Sequence, residues 1–131
     1  MILDTNFLSH LIDEDQEAWD VARDIHANDV DKKITPVVLF ELYYGAVSNG
    51  DENLIRRVRN VAKMYDMVPM SDDKVMLGAE LLADADSKEG GDCGVGQRDG
   101  MIAGVAADED EPVLTENVSD FEKLDVGLEE F

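Results

Sequence analysis

Apolar residues fall along this chain in short blocks that switch between strand-like runs and helical spacing. Met1-Ile2-Leu3 is an apolar run broken by Asp4-Thr5-Asn6, the pattern of a buried strand entering a helix cap; Phe7, Leu8, Leu11 and Ile12 then share a helical face. Between Asp15 and Asp29, Ala18, Val21, Ala22 and Ile25 recur at helical spacing opposite Asp20 and Asp24. Lys33 to Thr35 predicts a second strand, and Pro36 suits the first turn of a helix that runs to Ser48, where Asn49-Gly50 ends it. Asp51 caps a helix with Leu54, Ile55, Val58, Val61 and Ala62 inward, and Tyr65 to Val68 predicts a third strand. Ser71 or Asp72 caps a helix whose inward stripe is Val75, Met76, Ala79, Leu82 and Ala83 and which decays near Lys88. Four glycines between Gly90 and Gly96 predict a mobile loop. A helix from near Arg98 carries Met101, Ile102, Val105 and Ala106 inward. Pro112 to Thr115 is a strand, a helical turn surrounds Phe121 and Leu124, and Val126 to Leu128 is a last strand.

Strands alternating with helices, each strand short and too apolar for an exposed edge, predict an α/β fold: three α/β/α layers around a short central parallel sheet. No repeat or linker interrupts the pattern, and 131 residues suit one domain, so residues 1–131 are expected to fold as a unit. Hydrophobic residues make up 44% of the chain, which is enough to build its core without help. Help is also missing: the single cysteine, Cys93, cannot form an internal disulfide, and no Cys/His set has zinc spacing. No apolar stretch approaches the roughly 18 residues of a membrane span and no basic leader precedes one, so a cytoplasmic protein is expected.

The charge balance changes how the acids are weighed. Against 11 Lys and Arg stand 31 Asp and Glu, a formal net charge of −20. Self-repulsion on this scale weakens folding and repels polyanions at ordinary ionic strength. In about 1 M salt the Debye length falls to about 3 Å and both penalties fade, so a halophilic, archaeal source is expected. Most acids then form a solvated coat, and only those in unusual settings carry information.

Four settings are unusual. Asp4 directly follows the first strand, and Asn117 and Asp120 lie just past the strand ending at Thr115; ligands in parallel sheets sit beyond such carboxyl ends. Glu41 is the only charge between Pro36 and Ser48, on a helix apolar nearly all round, where a carboxylate suffers desolvation unless a cation, a proton or hydrogen bonds compensate it. Asp99 opens an apolar helix. If these acids converge they repel by about 4 kcal/mol per pair at 4 Å with an effective dielectric near 20, so something positive must bind among them. An all-oxygen set selects Mg²⁺ or Mn²⁺, and three or four acids around such ions is the arrangement that turns water against a phosphodiester.

These same residues carry a resemblance. Met1-Ile2-Leu3-Asp4-Thr5-Asn6 resembles the opening of PIN domains of the VapC group, and Glu41-Leu42-Tyr43-Tyr44-Gly45 is similar to their helical Glu-Leu-x-x-Gly element. Asp99-Gly100-Met101-Ile102-Ala103 resembles their third acid, and Thr115-Glu116-Asn117-Val118-Ser119-Asp120-Phe121 their closing motif. The resemblance spans the chain. It implies a Rossmann-like fold and a Mg²⁺- or Mn²⁺-dependent endoribonuclease, the toxin of a toxin–antitoxin pair, working as a homodimer and inhibited by a small cognate antitoxin. Asp4, Glu41 and Asp99 become the catalytic metal ligands. Many PIN domains have Asp where Asn117 stands, so either Asn117 or Asp120 completes the set, with Thr5, Asn6 and Thr115 orienting the acids.

Arg56, Arg57, Arg59 and Lys63 place four of the eleven basic residues within eight positions. Arg56, Arg59 and Lys63 share a helical face that can grip RNA phosphates or an antitoxin's acids, although Glu52 at i−4 offers Arg56 a plain salt bridge. Cys93 has no nearby histidine and reads as an incidental thiol, and His10 and His26 as surface residues. Two rival functions remain: a catalytically silent PIN-like module that binds RNA or a protein, supported by Asn117, and a receiver-like phospho-acceptor. The receiver needs a lysine soon after the strand at Val113-Leu114, and none occurs before Lys123.

Overall fold

Each apolar block that ends in a polar cap becomes a strand followed by a helix, and the computed structural model describes all of residues 1–131 in this way. The order is β1 (Ile2–Leu3), α1 (Thr5–Ile12), α2 (Gln16–Ala27), β2 (Lys33–Ile34), α3 (Pro36–Asn49), α4 (Glu52–Met64), β3 (Asp66–Met67), α5 (Asp72–Lys88), α6 (Gln97–Glu109), β4 (Val113–Thr115), α7 (Val118–Lys123) and β5 (Leu128–Glu130). The caps act locally. Asp15, Thr35, Asp51 and Ser71 each accept a hydrogen bond from a backbone N–H in the first turn of the next helix, and α3 closes on Gly50 at φ 66°.

The five strands form one all-parallel sheet in the order β3-β2-β1-β4-β5. From the central β1 the chain moves outward through β2 and β3, then returns to the other side of β1 with β4 and β5. The carboxyl ends of β1 and β4 therefore flank the point where the winding reverses, the place where parallel sheets open a ligand crevice. Ile2 pairs with Val113 and Leu3 with Leu114, so the residues that follow, Asp4 and Thr115, emerge side by side. Ile2, Leu3, Phe7, Leu8, Ile34, Val38, Ile102, Leu114 and Phe121 fill the core around these strands. No helix is long and apolar enough to cross a membrane.

Several expectations need correction. The last strand is Leu128–Glu130, not Val126 to Leu128: Asp125 turns the chain at φ 57°, and Gly127 already accepts from Val113 N before Leu128 aligns with Val113. The edges are not shielded, since both residues of β3 and the two glutamates of β5 are exposed. Helix α5 is rotated from its expected face. Val75, Met76, Ala79 and Ala83 are exposed, and of the expected stripe only Leu82 packs on the core, while Gly78 and Ala85 are buried, because α5 lies close on α6 at its small residues. The glycine-rich segment is anchored rather than loose: Cys93 and Val95 are buried, and Asp86 and Lys123 hold the Cys93 backbone at 2.9 and 2.8 Å.

Candidate metal centre

The crevice between β1 and β4 is polar because each apolar strand gives way there to a residue that hydrogen-bonds across it. Asp4 is fully buried, and its carboxylate accepts from Thr5 N at 2.7 Å, Thr115 Oγ1 at 2.7 Å and Asn6 Nδ2 at 3.2 Å. Thr115 Oγ1 in turn accepts from Asn6 Nδ2 and from Asn117 N, which locks the start of α7 to the end of β4. The strand ends thus fix one carboxylate in one orientation, as groups behind a metal ligand do.

Glu41 arrives from α3, where Thr5 Oγ1 donates to its Oε1 at 3.0 Å. It is less enclosed than its apolar neighbours suggested, with 32% of the side chain exposed. The reason is that α3 is apolar all round without being buried all round: Phe40, Tyr44 and Val47 are 71%, 65% and 50% exposed along a groove between α3 and α4. Asp99 arrives from the first turn of α6, 5% exposed. Asn117 stands between two acids, its Nδ2 donating to Asp99 Oδ2 at 3.0 Å and to Asp120 Oδ2 at 2.9 Å. The amide nitrogen, not the carbonyl, therefore faces these carboxylates, so Asn117 braces Asp99 and Asp120.

Thus Asp4, Glu41, Asp99, Asn117 and Asp120 come to one crevice with Thr5, Asn6 and Thr115 behind them. The acids do not converge on bare space. No three acidic, histidine or cysteine side chains stand close enough together to ligate one ion directly, and the Arg98 guanidinium lies among them. Arg98 Nη1 is 3.3 Å from Asp4 Oδ1 and 2.9 Å from Glu41 Oε1, and Nη2 is 2.7 Å from Asp99 Oδ1. Motif spacing alone does not place Arg98 in the site. The signal was a cation in the first turn of a helix, where the dipole disfavours it, beside one of the acids singled out.

Arg98 does not fully satisfy the site. Asp99 Oδ1 is buried with no hydrogen-bond donor, because the nearby Arg98 N–H is a charge contact without hydrogen-bond alignment. Burial pushes the Asp99 carboxyl up to about 6; Arg98 opposes the rise, and the charges of Asp4, Asp120 and Glu41 add to it. A buried, under-satisfied carboxylate among other acids is the donor set that a hard divalent cation fits. It also predicts a pH dependence. A carboxyl raised from 3.8 to about 6 leaves the unfolded chain more ionised between those values, so stability is lost as pH rises through about 4 to 6. The full loss, about 3 kcal/mol at most, is present above that window. Asp99→Asn should therefore stabilise the metal-free protein more at pH 8 than at pH 4.5 in thermal melts with chelator. An equal gap at both pH values would show that Asp99 titrates normally.

The basic residues of α4 lie elsewhere. Arg59 donates to Tyr43 Oη at 2.9 Å and sits 5.6 Å from that ring's centre, and with Lys63 it edges the α3–α4 groove. Arg56 donates to Asn53 Oδ1 at i−3, in place of the expected i−4 bridge to Glu52. His10 is half-exposed between Asp15 and Glu116.

No curated protein sequence matches the chain. Among solved structures it is similar to a DNA-bound VapBC from Salmonella typhimurium, with a TM-score of 0.82 at 24% identity over 98% of this chain and 96% of that one. VapBC2 from Rickettsia felis, bound to a promoter DNA fragment, gives 0.81 at 21% identity over 99% and 97%. VapBC-1 from nontypeable Haemophilus influenzae gives 0.76 at 19% over 98% and 96%. At these identities the likeness establishes the fold. The PIN domain profile matches residues 1–127, and the chain belongs to the PIN-domain family.

Proposed function

We propose that this chain is a Mg²⁺- or Mn²⁺-dependent endoribonuclease, the toxin of a toxin–antitoxin pair. The observation that carries the reading is the meeting of Asp4, Glu41 and Asp99, from three separate elements, around one positive charge at the reversal point of the sheet. Asp4 and Asp99 would hold the ion from the strand and helix ends, and Glu41, the most exposed of the three, would face the substrate side. An ion bound there supplies an acidified water and charge against the phosphodiester. Thr5, Asn6 and Thr115 keep Asp4 fixed, and Asn117 keeps Asp99 and Asp120 apart yet aligned, with Asp120 the remaining acid at the rim.

The VapBC complexes that share the fold support a protein partner. The groove of about 850 Å³ between α3 and α4 offers it a place: Leu39, Phe40, Tyr44 and Val47 give an apolar floor, and Arg59 and Lys63 give a basic edge on an otherwise acidic chain. That combination suits an antitoxin segment with apolar anchors and acidic flanks. The exposed Val75, Met76 and Ala79 of α5 suit a second copy of the chain.

The test is RNA cleavage by the purified protein in high salt, where its own charge is screened. Internal cuts with Mn²⁺ that stop with EDTA are expected. A second reading, a silent PIN module, draws on the Asn117 amide and on Arg98 between the acids; RNA binding without cleavage in Mn²⁺ would favour it.

A further inference from the structure

Among the eleven basic residues, Arg98 alone has its charge set among the carboxylates of the site. Helix α6 begins at Gln97 from Gly96, with no side-chain cap, so Arg98 lies in a first turn whose backbone N–H groups carry the positive end of the helix dipole. A cation is disfavoured there unless acids outweigh the dipole. Asp4, Glu41 and Asp99 do so, each within 3.3 Å of a guanidinium nitrogen. Guanidinium stays charged at any working pH, so it serves as a permanent counter-ion, and its planar fork reaches three carboxylates at once. It is also incomplete, since one charge opposes three and Asp99 Oδ1 gains no hydrogen bond. The side chain is 31% exposed, so an outward path exists without unpacking the core.

We propose that Arg98 is a built-in competitor for the divalent ion: it holds the three acids together in the metal-free protein and must swing out before they can close on a metal. The proposal rests on the metal-site reading above and adds its regulation. Metal affinity in this chain is then a difference between two cations, one tethered and one free. By linkage, whatever Arg98 contributes to the metal-free fold is subtracted from metal binding.

Calorimetric titration of Mn²⁺ into the wild type, Arg98→Gln and Arg98→Lys at one salt concentration, with thermal melts in EDTA and in saturating Mn²⁺, tests this. Arg98→Gln should bind Mn²⁺ about 10- to 100-fold more tightly, the range of a coupling between two sites. It should melt lower than wild type in EDTA, and the deficit should vanish in Mn²⁺. Arg98→Lys, which keeps the charge but not the fork, should lie between. Equal or weaker Mn²⁺ binding by Arg98→Gln, or by Arg98→Lys should the first variant not fold, overturns the proposal and leaves the nuclease reading standing. If neither wild type nor variants take up Mn²⁺, the metal-site reading itself fails and this proposal with it.

Discussion

Asp4→Asn should lower Mn²⁺-dependent RNA cleavage by about a thousandfold, the rate equivalent of losing several kcal/mol of charge stabilisation in the transition state. The expected loss is large because Asp4 cannot be replaced by a neighbour. It is the one fully buried acid in the crevice, and its two oxygens are aimed by Thr5 N, Asn6 Nδ2 and Thr115 Oγ1. An amide keeps one of those oxygens and removes the charge. The stability cost is smaller: Thr115 Oγ1 must turn its proton away from the new amide and Arg98 loses one of three acids, together about 1–3 kcal/mol. Cleavage rates with gel-resolved RNA, beside unfolding midpoints of both proteins, separate the two effects. Glu41→Gln is the companion variant, because Glu41 is one-third exposed and its replacement leaves the fold nearly untouched. Full activity in both folded variants would remove the carboxylates from the chemistry.

The order of strands and helices was legible because each element is short and locally punctuated. Met1-Ile2-Leu3-Asp4 needs no distant information to become a strand that ends on an acid, and Thr35-Pro36 or Asn49-Gly50 begin and end α3 by their own backbone preferences. The gathering of Asp4, Glu41 and Asp99 was legible for a related reason: Asp4 follows a strand end, Asp99 opens a helix, and Glu41 is the lone charge inside an apolar one, and the sheet order does the rest. What stayed hidden depends on which face of an element meets a neighbour. On α3 the aromatic residues Phe40 and Tyr44 look like core and instead stack on each other in the open, their centroids 6.0 Å apart. Arg98 was hidden by the opposite effect. A long charged side chain reports nothing through periodicity, and its position among three acids follows from side-chain reach across elements that the sequence leaves far apart.

Helix α5 shows this limit most sharply, and it yields the largest expected effect on stability. A hydrophobic stripe through Val75, Met76 and Ala79 predicts the inward face only if larger residues are always the ones buried. Here the helices touch along Gly78, Gly100 and Gly104. A Cβ built on Gly104 would lie 2.6 Å from Gly78 N and 2.7 Å from Gly78 Cα, and one on Gly78 would lie 2.5 Å from Gly100 O. Those obstacles are backbone atoms, which cannot rotate aside as a side chain can, so an added methyl forces α5 away from α6. Overpacking of this kind costs about 1–3 kcal/mol and sometimes more, a large part of the roughly 5–15 kcal/mol that holds a domain folded. Gly104→Ala should therefore lower the urea midpoint strongly, and Gly104→Val should leave little folded protein. Gly45→Ala is the internal control: its new methyl meets nothing within 4 Å, and replacing a helical glycine should raise stability by about 0.5–1 kcal/mol. Equal effects at Gly104 and Gly45 would mean that the two helices are not held at glycine contact distance.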